Sequence, residues 1–164
     1  MRGFEFFPDR EALRHYSHGS LAKRFANVTS VSAIWPVGRN FYDEGENLSV
    51  VKELLLPNPG GRAIKYLVQT VDREDATEFI KATTLKARKN GAKVKWYDHF
   101  IFHSIILADT DRPTGWMHIE SVLPFSQTMR RPSYTVTKEK SEAAILEMRR
   151  VFQGLWDEAK EPSV

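Results

Sequence analysis

The chain has 164 residues, 41% of them hydrophobic and 27% charged, which fits one compact domain able to bury a substantial core. It contains no cysteine, which closes disulfide frameworks, thiolate nucleophiles and cysteine-ligated metal sites. A formal charge of +3 weakly favours anionic partners and falls short of a nucleic-acid-binding footprint.

The opening stretch Met1–Pro8 is too short in apolar residues for a signal peptide. No apolar run approaches the roughly 20 residues that span a bilayer, so a soluble, cytoplasmic protein without a membrane partner is expected. Pro8 and Asp9 open a first helix carrying Leu13, Tyr16, Leu21 and Phe25 at helical spacing. The expected division is this N-terminal helix, 1–28, packed on a single domain, 29–160. Val31–Trp35 reads as a strand that stops at Pro36-Val-Gly38, with Arg39 and Asn40 directly after. The apolar run from Leu48 to Leu56 suits a short helix entering a buried strand, and it ends at Pro57-Asn-Pro-Gly-Gly61.

Ala63, Ile64, Leu67, Val68 and Val71 predict a helical stripe. Ala76, Phe79, Ile80, Thr83 and Ala87 predict another, closed by Asn90-Gly91. Lys93–Tyr97 alternates as a strand. Strands over 100–108 and 116–123 are joined by Asp109–Gly115, whose turn chemistry predicts a hairpin. Ser133–Thr137 is a last strand, and a long helix follows with Ala144, Met148, Val151, Phe152, Leu155 and Trp156 on one face. Alternation of strands and helices in the first half implies parallel pairing, and the second half adds antiparallel strands. The fold class expected is therefore α/β, a mixed and mostly parallel sheet flanked by helices.

In open α/β sheets, ligands bind beyond the carboxyl ends of the parallel strands. Two loops suit an anion: Trp35-Pro-Val-Gly38-Arg39-Asn40, and Asn58-Pro-Gly60-Gly61 leading into a helix. Their glycines let backbone N–H groups approach a phosphate, and Arg39 offers a planar fork. The same residues also serve simply to turn the chain. His103 shares a strand face with Ile101, Ile105 and Leu107. Asp109 has the same parity, but six extended residues separate the two by roughly 20 Å, too far for a hydrogen-bonded dyad.

His99 and His103, four apart in a strand, lie roughly 13 Å from one another, so no metal site is expected. His15 and His18 have no completing ligands. Asp98, Asp109, Asp111 and Glu120 cluster along the sequence without defining an acid–base pair. Ser104 points away from His103, and there is no nucleophile elbow, Walker loop or dinucleotide fingerprint. No cofactor is expected. Lys81, Lys86, Arg88, Lys89, Lys93 and Lys95 form the densest basic group. Four of them fall on a helix that begins with acidic residues, which reads as a dipole-matched solvated face.

Leu56-Pro-Asn-Pro59, Val94–Asp98, His103-Ser-Ile-Ile-Leu-Ala-Asp109 and Gly115-Trp-Met-His118 together resemble a degenerate, single-copy member of the phospholipase D-like (HKD) superfamily, over about residues 31–159. That family's signature is a histidine, a lysine two residues on, an aspartate, and then a glycine-serine-x-asparagine segment. The resemblance implies an α/β sandwich. In active members it implies a phosphohistidine intermediate, usually with two motifs meeting across a pseudo-twofold or dimer interface, hence a homodimer here. His103 matches the nucleophilic histidine. Asp109 matches the aspartate and Gly115 the glycine, each with one residue fewer before it, and His118 occupies the asparagine position. Ile105 stands where the lysine would be, and Trp116 replaces the serine. Exchanging an ammonium for a branched alkyl group removes the clamp on a phosphate under attack.

The reading is therefore a non-catalytic ligand-sensing or interaction domain that keeps this scaffold and takes a phosphate-bearing small molecule. Its ligand site would be Trp35, Gly38, Arg39, Asn40, Asn58, Gly60, Gly61, His103 and His118. Two alternatives stand beside it: a phosphodiesterase or nuclease using His103 as nucleophile with His118 as acid or base, and sequence-independent nucleic-acid binding through Lys81 to Lys95 with Arg130 and Arg131.

Overall fold

A seven-stranded mixed sheet organises the chain in the computed structural model, which describes residues 3–9, 11–12, 22–35, 55–70, 77–122 and 130–164. The strands are β1 (Phe4–Phe7), β2 (Ser30–Trp35), β3 (Ala63–Gln69), β4 (Lys93–Tyr97), β5 (His103–Ala108), β6 (Trp116–Ser121) and β7 (Ser133–Thr137). Among the described residues, the helices accompanying them are α1 (Ala22–Phe25), α2 (Thr77–Lys89) and α3 (Glu142–Glu158). The strand order is β1-β7-β6-β5-β2-β3-β4. The α/β class is as expected, with the parallel share the smaller one. β2, β3 and β4 run parallel through the crossover region, and the four remaining ladders are antiparallel.

Side-chain parity divides the sheet into two faces. On the first, Val31, Ala33, Trp35, Tyr66, Val68, Val94, Ile106 and Trp116 pack with Phe25 of α1 and with Ile80 and Ala87 of α2. On the second, Ile34, Leu67, Tyr97, Ile105, Leu107, Met117 and Ile119 meet Ile145, Phe152 and Trp156 of α3. Each large apolar side chain so buried contributes roughly 1.5–3 kcal/mol of transfer free energy. The face predicted for α3 is largely right, except that Val151 is 39% exposed while Ile145, not predicted, is fully buried. α2 stops where expected. Gly91 adopts φ +87 and donates its N–H to the carbonyl of Arg88, a left-handed ending that a side chain would strain.

The helix predicted over 63–71 is corrected to β3. Ile64, Leu67 and Val68 do recur at three-to-four spacing, but an internal parallel strand is covered on both faces and reads as a nearly continuous apolar run. Period alone cannot separate the two. At the amino end, residues 4–7, ahead of the expected helix start, form an edge strand on β7 that the sequence reading did not include. The expected helix start fits Asp9, whose carboxylate accepts the Ala12 N–H at 2.9 Å. The remainder of that helix up to Ala22, and the segment from Leu48 to residue 54, lie outside the described residues.

Candidate functional site

Strand direction sorts the candidate residues between two edges of the sheet. The parallel strands β2, β3 and β4 end at Trp35, Gln69 and Tyr97. β5 is antiparallel to β2, so its start, His103 and Ser104, comes to the same carboxyl edge, joined by Glu120 and Ser121 at the end of β6 and Ser133 at the start of β7. Asn58, Gly60 and Gly61 precede β3 and therefore sit at the opposite, amino edge. Trp35 and the 58–61 loop therefore lie at opposite edges of the sheet. Gly38, Arg39 and Asn40, which follow Trp35, lie outside the described residues.

The loop at 57–61 leads into a strand and not a helix, so no helix dipole faces it, which corrects the expectation. The Asn58 side chain is committed to the fold. Asn58, at φ 45, accepts the Arg62 N–H through its side-chain oxygen at 2.9 Å, and its amide donates to the Arg62 carbonyl at 3.0 Å and the Asn90 carbonyl at 3.3 Å. This ties the loop to the end of α2. Asn residues tolerate that left-handed conformation because a short polar side chain bonds locally.

His103 and His118 do not converge. Residues facing each other across an antiparallel ladder share a face, and His103 opposes Ser121 while His118 opposes Ile106. His103 is exposed on the second face. His118 is 6% exposed on the first, its Nδ1 hydrogen-bonded to the Thr135 hydroxyl at 2.9 Å with the Phe7 ring 6.2 Å away. The sheet stands between them. Ile105, on the side of His103, is 4% exposed within the cluster under α3.

Asp109 lies at the far end of β5 from His103, in keeping with the separation expected from strand geometry. Its carboxylate accepts the Ser30 and Thr29 backbone N–H groups at 2.9 and 3.0 Å and the Thr29 and Ser30 hydroxyls at 2.9 and 3.2 Å. Burial alone would raise its pKa. The amides and hydroxyls of Ser30 and Thr29 outweigh that, so the carboxyl is held below its ordinary value. Asp109 thus staples the β5–β6 hairpin to the start of β2. Gly115 is required by close approach, since a Cβ there would sit 2.6 Å from the Asp109 carbonyl oxygen and 3.1 Å from the Thr110 Cα. Trp116 packs edge-on against Phe25, with ring centroids 5.0 Å apart.

A polar band was not foreseen. On the first face at the carboxyl edge, buried Glu120 is flanked in register by Ser104 and Ser133, with the Arg131 guanidinium 3.9 Å from its carboxylate. His118 and Thr135 continue the band one pair further along β6 and β7. The available signal was Glu120 itself, an acid two positions from His118 in a strand otherwise fit for burial. Arg131, expected in a surface patch, belongs to this band. The other basic residues are dispersed too: Lys81 pairs with Glu78 at 3.0 Å, Arg88 with Glu161 at 3.1 Å, and Lys95 donates to the Trp156 carbonyl at 2.9 Å. Among the described residues, no three His, Asp or Glu side chains gather as a metal site, and no helix is long and apolar enough to cross a membrane.

The architecture is similar to that of a phospholipase D family member, Nuc from Salmonella typhimurium, with a TM-score of 0.62 over 98% of this chain and 97% of that one. The fold is phospholipase D-like. The two sequences are 9% identical, so the likeness concerns the fold alone. No family model matches the chain, and no curated protein matches it in sequence.

Proposed function

We propose that this chain is a binding or interaction domain on a phospholipase D-like scaffold, without phosphodiester chemistry at His103. The observation that carries the reading is Ile105. An attacking histidine needs a cation on its own strand face to neutralise the phosphate as charge develops. The residue two positions on is instead an alkyl group, 4% exposed and packed beneath α3. A second observation supports it: His118, on the other side of the sheet, is badly placed to protonate a leaving group on a phosphate held by His103.

The test is hydrolysis of bis(p-nitrophenyl) phosphate and of a labelled oligonucleotide by the wild-type chain and His103→Ala, with melting curves for both. No turnover above buffer is expected from either protein. Turnover that disappears in His103→Ala at unchanged melting temperature would establish instead a phosphodiesterase, for which the exposure of His103 is the favouring observation.

A further inference from the structure

A cleft of about 460 Å³ opens at the amino edge of the parallel strands, between the second face of the sheet and α3. It is remote in the fold from the start of β5, where His103 lies. Across its floor, register places Ser32 of β2 opposite Lys65 of β3, and Lys65 opposite Lys93 of β4. From above, α3 contributes Arg149 and, one turn on, Gln153.

Two lysines as cross-strand partners repel one another, an arrangement sheets ordinarily avoid or relieve with an acid. Among the described residues, Lys65, Lys93 and Arg149 have no carboxylate partner, in contrast to Lys81, Arg88 and Arg150, each of which is paired. Lys65 instead lies over the Trp156 ring, 5.4 Å from its centroid. The only acid among the lining residues is Asp111, which is exposed. Lys93, Arg149 and the Ser32 hydroxyl therefore line one basic cleft, with the Lys65 stem on its floor. Phe152, buried at the foot of α3, supplies an apolar wall.

We propose that this cleft binds the phosphate monoester of a small organic molecule, the dianion lying between Lys65, Lys93 and Arg149 and the organic body against Phe152. A planar guanidinium and two ammonium groups match a phosphate with charge-assisted bonds from several directions. The cleft has room for a ligand of nucleotide size. The site deepens the binding-domain reading by naming a place and a ligand class, and it does not depend on what His103 does.

The test is isothermal titration of the full chain with AMP, adenosine, inorganic phosphate and a single-stranded oligonucleotide, in the wild type and in Lys93→Gln, Arg149→Gln and Lys93→Arg, with Lys89→Gln as a control of equal charge change. Saturable binding of AMP with no binding of adenosine is expected. Lys93→Gln and Arg149→Gln should each weaken it about tenfold, Lys93→Arg should retain it, and Lys89→Gln should leave it unchanged. Lys93 and Arg149 are exposed, so these substitutions should not disturb folding. The assignment is overturned if neither AMP nor phosphate binds, if the Lys93 and Arg149 variants bind as well as wild type, or if only an oligonucleotide binds. Those results leave the assignment at His103 standing, which only phosphodiester turnover overturns.

Discussion

Replacing Asp109 tests how the hairpin is fastened to the sheet. Four of its five hydrogen bonds fall on Oδ1, from Thr29 and Ser30, and the fifth reaches Oδ2 from the Thr29 N–H at 3.3 Å. Asp109→Ala leaves two backbone N–H groups without their acceptor, at about 1 kcal/mol each, since both bonds are only partly buried. Alanine at φ +46 adds about 1 kcal/mol of left-handed strain. The expected loss is about 3 kcal/mol, or roughly 6–12 °C in melting temperature for a domain of this size. Asp109→Asn keeps Oδ1 and tolerates the dihedral, so it should cost about 1 kcal/mol. Urea unfolding followed by tryptophan fluorescence measures both. The fastening argument fails if Asp109→Ala costs under 1 kcal/mol, or if the asparagine variant is equally unstable. The pH dependence gives a second readout. The carboxyl titrates near 4 when unfolded and lower when folded, so its contribution is complete above about pH 4 and is lost as the pH falls through the folded value. The stability gap between wild type and Asp109→Asn should therefore close below pH 4.

Gly115→Ala should cost about 2–3 kcal/mol, because the added methyl meets backbone atoms of 109 and 110 that cannot rotate aside; chemical denaturation checks it. Ile105→Lys, which installs the lysine of the signature that this stretch resembles, should lower stability by roughly 3–5 kcal/mol and bring no hydrolysis, since it buries an unpaired ammonium under α3; circular dichroism and the phosphodiester assay decide it. His118→Ala and Thr135→Val should couple by about 1 kcal/mol in a double-mutant cycle, and additive losses would mean that their 2.9 Å contact contributes nothing.

Much of the fold was legible because local chemistry and tertiary burial agree. Asn90-Gly91 ends α2, Asp109–Gly115 makes a hairpin, and the acid-to-base gradient of α2 marks a solvated helix. β3 was not, because burial on both faces erases the alternation by which a strand is recognised. β1 was hidden for another reason: Phe4 and Phe6 are exposed on an edge strand, so Phe4–Phe7 shows apolar residues without the burial that normally explains them. The site was less legible than the fold. Parity within β5 separated His103 from Ser104, but only the register of β5 on β6 places His118 on the opposite face from His103. The same dependence hid the row Ser32–Lys65–Lys93, which joins three strands distant in sequence and exists only once their register is fixed.

The residues that carry the family resemblance now divide by what the fold asks of them. Asp109 fastens the hairpin, Gly115 admits a close backbone approach, Trp116 fills the core against Phe25, and His118 packs against Phe7 and bonds to Thr135. Each has a folding role sufficient to require its residue type, so none is evidence of chemistry by itself. His103 differs. Its imidazole is exposed, and among the described residues that side chain makes no hydrogen bond or ion pair. Truncating an exposed side chain of this kind should change stability by no more than about 0.5 kcal/mol. Loss of any function in His103→Ala would therefore report on what the imidazole touches, whereas loss in a variant of Asp109, Gly115 or Trp116 would first report on folding.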